Sequence, residues 1–532
     1  MQHRDAVGGG PEEARHFVRR NGAGQLSCPL CLLHTVDQRF ERRALGRPRD
    51  CPVAIAEQDS EQLRIFDGEP RVADAEQFEL LQGGRAGQGG RPEKVQHLLV
   101  TPHDHRSEES LTALEMPVRR GGAHPGPACQ LTEAEAVGSL LREQLPRSLD
   151  ERFLQCAGER AVGRDSTVRG DSGPLTVAPV AEPHPFAQAC VDAAEQAGFG
   201  RAEDISSGLE TGFGWCDLTL PGGRRQSAAD AYVRPVAHRT NLTVVTDAVV
   251  QRLRIADGRC TGIDYTVGDE TLSAHGGEVV LTAGAIGSAH LLLLSGIGPG
   301  QHLRDVGVEV ALDLPGVGTG LQDHPVSSLV YAGGAIEMRP LNPPGEALGI
   351  IRTDPSLPPD PHMQFIGAPY AWKAVPEAGY TIAFSAVSPY SRGRLRLANA
   401  EPGTPPLVDP NYLGDERDVA TMRAALDVAR SIGESPAPAS FTDRELLPGA
   451  GVRGGESVRG YLEESVMTYF HYASTCRMGT DPLSVVDPAN LRVHGVAGLR
   501  VADASVMPSV VPANTNATVY AIAERAAELI AG

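Results

Sequence analysis

The sequence predicts an α/β fold joined to a second domain that is built on an antiparallel sheet. The α/β part is indicated by Glu278–Thr282 (EVVLT), an apolar run with the length of a buried strand, which a short turn connects to an apolar helix over Ala289–Leu294. The antiparallel sheet is indicated by alternating apolar and polar residues within Pro361–Arg396. Apolar residues at helical spacing over Asn516–Ile530 predict a final helix that packs on one face.

The first elements of the α/β part follow in chain order. Pro185–Ala197 predicts a helix, because proline is favoured at the first helical position and Gly198 supplies a stop. Leu242–Thr246 and Ile263–Tyr265 predict two strands, with a turn at Ala256-Asp-Gly258 between them.

Composition excludes several classes of protein. Of the 532 residues, 41% are hydrophobic and 22% are charged, which is ordinary for a globular protein. No apolar run approaches the ~18 residues that a membrane span requires. The formal net charge of −19 opposes binding to nucleic acid, and no local basic patch offsets it.

Cysteine usage and the polar start of the chain predict a cytoplasmic protein. Nine cysteines, an odd number, argue against a disulfide framework. The opening residues, MQHRDAVGGGPEEARHF, lack the apolar core and cleavage site of a secretory signal.

Residues 1–165 differ in character from the rest of the chain. They are rich in arginine, glycine and proline, and only Val53–Ile55 and Leu98–Val100 resemble strands. Three explanations stay open: translation of a wrong reading frame, which a GC-rich gene permits because it has few stop codons, a divergent replacement domain, or an inactive remnant. A single C-x-x-C at Cys28–Cys31 near His34 lacks the second pair of a zinc site, so no metal is predicted.

From about Arg169 onward the chain resembles the glucose–methanol–choline (GMC) family of flavin-dependent alcohol oxidoreductases, in particular its choline-dehydrogenase-like members. One signature departs from the usual pattern, with Ala289 where proline or serine is usual. The segments that carry the resemblance, in family order, are Gly173–Ala197, Arg225–Pro235, Gly284–Pro299, Leu314–Pro325, Arg394–Tyr412 and Val485–Ile530.

The resemblance implies an α/β fold with an FAD/NAD(P)-binding (Rossmann-like) domain, incomplete at its N-terminus, and an α+β substrate domain with an antiparallel sheet. The FAD-binding domain is expected from residues 166–325 and 461–532, and the substrate-binding domain from 326–460. Residues 1–165 lie outside the resemblance.

The stretch Thr468–Gly479 (TYFHYASTCRMG) places His471 near Cys476. From these residues alone, a thiol nucleophile, a proton acceptor and a packed core residue all remain open. The resemblance favours His471 as the base that deprotonates an alcohol while hydride passes to flavin N5, and it implies that Asn514 donates to the substrate oxygen. Cys476 is then a packed small hydrophobe, and Ser474 replaces the usual glycine.

FAD is the cofactor that the resemblance implies. Val249 is expected on the strand that faces the adenine. Asp503 and Ala504, which follow a strand, are expected to contact the cofactor. Thr515 and Asn516 lie at the start of the final helix, whose partial positive charge is expected to stabilise the reduced ring.

The glycine-rich fingerprint that holds the FAD pyrophosphate is absent from the first third of the chain. The runs that begin at Gly8 and Gly87 both lack the third glycine of G-x-G-x-x-G, and no strand precedes either. Two alternatives to an FAD-dependent alcohol oxidoreductase therefore stay open: a pseudoenzyme or fragment that cannot hold FAD, and a lyase on the same fold.

The expected partner is a small-molecule alcohol. A choline-like cation would need an aromatic or carboxylate cage, to which Tyr370, Trp372, Tyr469 and Phe470 are candidates. The identity of the alcohol, the electron acceptor and the oligomeric state are left open.

Overall fold

A computed structural model describes residues 158–166, 169–207, 210–336, 345–352 and 360–531, together with the backbone of His97–Val100. The predicted strand Val53–Ile55 and the candidate zinc ligands Cys28, Cys31 and His34 lie outside the described residues. The strand predicted at Leu98–Val100 is confirmed, because His97–Val100 forms a strand. The hypotheses about the origin of residues 1–165 stay predictions.

The described strands, numbered in chain order, are β1 His97–Val100, β2 Glu159–Ala161, β3 Leu175–Pro179, β4 Gly212–Trp215, β5 Asp217–Leu218, β6 Leu242–Val245, β7 Ala248–Ala256, β8 Arg259–Val267, β9 Glu270–His275, β10 Val279–Leu281, β11 Ile297–Gly298, β12 Leu312–Asp313, β13 Thr319–Leu321, β14 Pro325–Ala332, β15 Ala347–Ile350, β16 His362–Ile366, β17 Gly379–Ser385, β18 Gly393–Arg396, β19 Leu407–Asp409, β20 Arg444–Leu447, β21 Met467–Thr468 and β22 Leu499–Val501.

The described α-helices are α1 Pro185–Gln196, α2 Gly284–Leu294, α3 Gly300–Asp305, α4 Glu416–Gly433, α5 Gly455–Ser465 and α6 Asn516–Ala531. Short 3₁₀ turns occupy Ile205–Ser207, Pro221–Gly223, Arg234–Val236, Ala437–Phe441 and Ala504–Val506, and a π-helical turn occupies Ala229–Val233. No helix in these described ranges is both long enough and apolar enough to cross a bilayer.

The first hydrophobic core forms around helix α2 and the segments near the C-terminus. Strand β10 pairs in parallel with β22, although the two strands lie far apart in the sequence. Strands β7, β8 and β9 form an antiparallel sheet, whose turn at Asp257 and Gly258 has positive φ angles of 50° and 72°. Leu292 and Leu294 of α2, Val501 of β22 and Ile522 of α6 belong to this core. Distant parts of the chain thus build one α/β layer.

The second hydrophobic core lies on a seven-stranded, mainly antiparallel sheet. Its strands run in the order β20-β14-β17-β16-β15-β4, and β21 pairs with the start of β14. Helices α1, α4 and α5 cover it through buried residues such as Phe186, Met422 and Leu462. The alternation within Pro361–Arg396 therefore predicted an antiparallel sheet correctly.

The stretch from α1 to β4 packs with this second core. Phe186 contacts Tyr380 of β17, with ring centroids 5.0 Å apart, and Phe213 of β4 pairs with Gly349 of β15. The expected domain boundaries at residues 166–325, 326–460 and 461–532 stay predictions. Sheet pairing across more than a hundred residues decides where it packs, and local patterns carry no such information.

Helix α1 confirms the local prediction, whereas α2 begins earlier than predicted. His184 caps α1 by accepting a hydrogen bond from the backbone N–H of Phe186 at 3.1 Å. Helix α2 begins at Gly284, five residues before the predicted start at Ala289. The reason is that Asp503, distant in sequence, accepts from the N–H of Gly284 at 3.0 Å and so caps the helix.

Candidate active site

A single carboxylate oxygen holds the two histidines at the centre of the site. The Oδ1 atom of Asp323 accepts the backbone N–H of His471 at 2.9 Å and the backbone N–H of His324 at 2.9 Å. His471 follows the short strand β21, and His324 directly precedes β14, with which β21 pairs. The predicted base is thus fixed to the edge of the second sheet.

The two imidazole rings contact each other directly. Nδ1 of His471 lies 2.9 Å from Nδ1 of His324, and the rings are nearly perpendicular, at 87°. The hydrogen bonds of the described residues include one to the ring of His471, and it is made at Nδ1. His471 therefore has one nitrogen engaged by protein and the other available to a substrate.

Burial keeps both rings neutral. It lowers the pKa of His471 to about 4. It also lowers the pKa of His324 well below its ordinary value, and the neighbouring His471 and His362 lower that pKa further. The cause is that a charged imidazole loses its hydration inside the protein. The lowered pKa favours the neutral form of His471 at physiological pH.

The carboxyl of Asp323 is buried but well supplied with donors. The Tyr412 hydroxyl donates to its Oδ2 atom. Burial raises the pKa of Asp323. Hydrogen bonds from Thr468, from Tyr412 and from the two histidine N–H groups lower it in part. Because its oxygens receive these bonds, Asp323 serves to fix the backbone of both histidines.

Polar groups of the second sheet lie beside His471. The rings of Tyr469 and His471 have centroids 4.7 Å apart, and the Tyr469 hydroxyl donates to Oε1 of Gln364 at 2.8 Å. His362, on the same strand as Gln364, has its pKa lowered to about 3, by burial first and by His471 second. This side of the site is neutral and offers hydrogen bonds.

Cys476 is placed away from this chemistry. Its side chain is fully buried in the first core, and burial raises the pKa of its thiol. Its backbone N–H donates to the carbonyl of Ser505 at 2.9 Å. A buried thiol with a raised pKa is a poor nucleophile, so the structure favours the packing interpretation.

Gln322 connects the segment of His471 to the loop that precedes Asn514. Its backbone exchanges hydrogen bonds with Ala473, and its Oε1 atom accepts from the N–H of Val510 and the hydroxyl of Ser509, both at 3.0 Å. No hydrogen bond among the described residues joins Asn514 to His471, and Asn514 is exposed. The two predicted catalytic residues are thus tied through the backbone and not through their side chains.

The predicted cofactor residues fall into two groups. Asp503 is buried and engaged within the protein, since its carboxylate accepts from Gly284, from Ser288 at 2.5 Å and from the N–H of Ser505 at 2.8 Å. Ala504, which follows it, accepts the N–H of Ser474 through its carbonyl oxygen at 3.2 Å. Both residues therefore lie on the loop that packs against the His471 segment.

The remaining predicted cofactor residues lie at a strand and at a helix start. Asn516 is exposed and begins helix α6, and the carbonyl of the buried Thr515 accepts the N–H of Val519 at 3.0 Å. Val249 lies on β7, opposite Thr266 of β8. Among the described residues, no hydrogen bond joins the side chain of Val249, Thr515 or Asn516 to His471.

Sequence reasoning gave His324 no catalytic role and did not single out Asp323, Tyr412 or Gln364. The available signal was the segment Leu314–Pro325 (LPGVGTGLQDHP), which contains Gln322, Asp323 and His324 in a row. Their function depends on contact with a segment 147 positions further along the chain.

A G-x-G-x-x-G run does exist at Gly449–Gly454, between β20 and α5. It does not have the context of a dinucleotide fingerprint, because β20 is an antiparallel edge strand of the second sheet and the fingerprint follows a parallel strand.

Comparison with known proteins gives consistent matches. Two family models, both described as GMC oxidoreductase, match residues 139–326 and 389–523. The first match extends into the segment 1–165 for which the sequence predicts no resemblance. An oxygen-dependent choline dehydrogenase from Ectopseudomonas mendocina is 36% identical over 411 residues, which cover 71% of this chain and 72% of that protein.

Two further relatives agree. The mitochondrial choline dehydrogenase of Homo sapiens is 35% identical over 397 residues, which cover 69% of this chain and 67% of that protein. The crystal structure of pyridoxine 4-oxidase from Mesorbium loti superimposes with a TM-score of 0.68 at 31% identity, covering 74% of this chain and 79% of that chain.

Proposed function

The chain belongs to the GMC oxidoreductase family, and from that premise we propose that it oxidises the CH–OH group of a small alcohol with His471 as the base. Family membership makes it an FAD-dependent oxidoreductase. The observation that carries the proposal is the environment of His471. Burial lowers the pKa of its ring to about 4, and the described hydrogen bond of the ring, to His324, is made at Nδ1.

The residues at the start of helix α6 fit the flavin end of FAD. Asn514 and Asn516 are exposed there, and the first N–H groups of an α-helix have no partner within the helix. The partial positive charge of this helix start suits an anionic ring. The residues that would contact the pyrophosphate belong to the N-terminal part of the chain, where the sequence lacks the glycine fingerprint.

Bound FAD supplies a hydride acceptor. The protein has to remove the hydroxyl proton of the alcohol, and Nε2 of His471 is the atom that takes it. A neutral imidazole with a lowered pKa is a weaker base than a free one, but the lowered pKa keeps it unprotonated at neutral pH. Nδ1 of His471 then stabilises the charged ring through its contact with His324.

Asn514 is proposed to donate a hydrogen bond to the alcohol oxygen as negative charge develops on it. An amide is suited to this because it donates at any pH and cannot compete for the proton. Its exposure leaves it accessible to a ligand, and the Gln322 contacts fix the loop before it relative to His471.

The alcohol itself is proposed to lie against Tyr469 and Gln364. Of the four aromatic candidates for a cation cage, Tyr370 and Tyr469 belong to one small cluster, whereas Trp372 packs against Tyr461, with ring centroids 5.4 Å apart. Trp372 therefore lies in a different cluster from the other two. This arrangement supports a small neutral or singly charged alcohol without selecting between them.

A cytoplasmic location is proposed from the cysteines. The four described cysteines, Cys190, Cys216, Cys260 and Cys476, are free and buried. Free thiols are typical of a reducing compartment. Cell fractionation with a compartment marker checks this point.

The purified full-length chain, supplied with FAD, tests the proposed function. It is expected to show the visible absorption of oxidised flavin and to lose it when an alcohol is added without oxygen. Choline and pyridoxine are suitable first substrates, because similar proteins are named for them. Binding of FAD without reduction by any alcohol in a broad panel would support the pseudoenzyme, and conversion of the alcohol without flavin reduction would support the lyase.

A further inference from the structure

We infer that His324 is a positioning residue that holds His471 with its hydrogen on Nδ1, so that Nε2 is the atom that accepts the proton. The inference rests on the proposed role of His471 as the base. It concerns a residue that makes no contact with substrate by this account and acts through the ring beside it.

The contact between the two rings allows one hydrogen, in one of two places. At 2.9 Å, one Nδ1 atom has to donate and the other has to accept. If His471 donates, its Nε2 carries a lone pair and can act as a base. If His324 donates, the hydrogen of His471 is on Nε2, and that atom cannot accept a proton. The pair therefore selects between an active and an inactive form of the base.

The surroundings of His324 favour the active form. His324 is 0% exposed. The backbones of His324 and His471 are both fixed, because Asp323 accepts a hydrogen bond from the N–H of each. Burial strongly lowers the pKa of His324, and the backbone groups of Val511 and Val387 act in the opposite direction. A backbone group favours a hydrogen on imidazole only through its carbonyl oxygen.

Nδ1 of His324 is already in contact with His471, and its Nε2 is buried without a close hydrogen bond among the described residues. Because Nδ1 is engaged by His471, Nε2 is the nitrogen left for the hydrogen that the backbone groups of Val511 and Val387 favour. That tautomer leaves Nδ1 of His324 as an acceptor and makes His471 the donor.

The same contact strengthens when His471 takes the proton. The charged ring then donates from Nδ1 to a neutral acceptor, and hydrogen bonds from charged donors are about twice as strong as neutral ones. His324 stays neutral because a second charge in this buried position is strongly disfavoured. No proton has to leave the pair during the step.

Two substitutions separate this role from simple packing. His324→Asn keeps an acceptor near the Nδ1 position, because the side-chain oxygen of asparagine is the same number of bonds from the backbone. His324→Leu keeps apolar bulk and removes the acceptor. Both should be made in the full-length protein loaded with FAD, with the flavin spectrum and thermal unfolding as checks of folding.

The direct readout is the tautomer of His471, measured by ¹⁵N NMR of histidine-labelled protein, with the signal identified by its loss in His471→Gln. We expect a hydrogen on Nδ1 in the wild type and in His324→Asn, and a mixture or the Nε2 form in His324→Leu. We expect kcat to fall about 10- to 100-fold in His324→Leu and much less in His324→Asn, with KM nearly unchanged in both.

Two results would overturn the inference. One is a wild-type His471 with its hydrogen on Nε2, which needs no variant and decides the matter even if His324→Leu does not fold. The other is equal kcat and equal tautomer in His324→Asn and His324→Leu. Failure of the proposed function looks different, because the tautomer is still readable in a protein that oxidises no alcohol.

Discussion

The Nδ1 atoms of His324 and His471 lie 2.9 Å apart, although 147 positions separate the two residues in the chain. One carboxylate, that of Asp323, fixes the backbone of both. This relationship fixes the orientation of the histidine that we propose as the base. It also makes the site depend on the second sheet, because His324 directly precedes β14 and His471 follows β21, which pairs with β14.

Asn514 is expected to contribute to the chemical step and not to folding. Replacing it by alanine removes a donor to the developing negative charge, and we expect kcat to fall by roughly 10²-fold, as for other single donors of this kind. Thermal stability should change little because Asn514 is exposed. Asn399→Ala, at another exposed asparagine, is the matched control. An unchanged kcat in Asn514→Ala would remove Asn514 from the mechanism.

Cys476 is expected to be dispensable for activity. Cys476→Ala should retain kcat within a few fold and should lower the free energy of unfolding by about 1 kcal/mol, since it removes one buried atom from the first core. Steady-state kinetics and urea unfolding measure the two effects. If the variant loses activity to the same degree as a variant of His471, the thiol belongs to the mechanism after all.

Ser474 is expected to be a strained position that glycine relieves. Its φ angle is 72°, a left-handed conformation that glycine adopts readily, and its buried hydroxyl has no hydrogen-bond partner in the described structure. Ser474→Gly should therefore raise the free energy of unfolding by about 1 kcal/mol. Ser474→Ala is the control, because it removes the hydroxyl and keeps the strain. Equal stabilities of the two variants would show that the backbone angle is not the cause.

His362 is expected to weaken the fold at acid pH. Burial and the nearby His471 lower its pKa to about 3 in the folded state, whereas an unfolded histidine has a pKa of about 6.5. Below pH 6.5 the unfolded chain thus binds a proton that the folded protein does not, so stability falls as pH falls. At pH 5 this costs on the order of 2 kcal/mol relative to pH 7.5.

A variant isolates this effect from other titrating groups, such as Asp360, whose pKa burial raises to about 7. The loss of stability caused by His362→Gln should be about 2 kcal/mol smaller at pH 5 than at pH 7.5, because glutamine does not titrate. Urea unfolding at the two pH values measures it, with the exposed His238→Gln as the control. A pH-independent effect of His362→Gln would contradict the lowered pKa.

Local patterns in the sequence were sufficient for several elements. Proline at the start and glycine after the end predicted α1, and helical spacing predicted α6 within one residue at its C-terminal end. The motif around His471 identified the candidate base. For the two helices, the determining interactions lie within a few residues of each other.

Interactions across the chain explain what the sequence did not reveal. Asp503 caps α2 from 219 positions away, so the helix begins before its own sequence predicts. Phe213 and Gly349 pair in one sheet, so β4 packs in the second core. His324 matters only because of His471. Such contacts are properties of the fold and leave no local periodicity.

The most direct test of the central claim is the rate of flavin reduction by an alcohol in the absence of oxygen, followed in a rapid-mixing experiment with the wild type and with His471→Gln. We expect reduction in the wild type and a rate lowered about 10²- to 10⁴-fold in His471→Gln, with FAD still bound. Reduction of His471→Gln at the wild-type rate would contradict the assignment of His471 as the base.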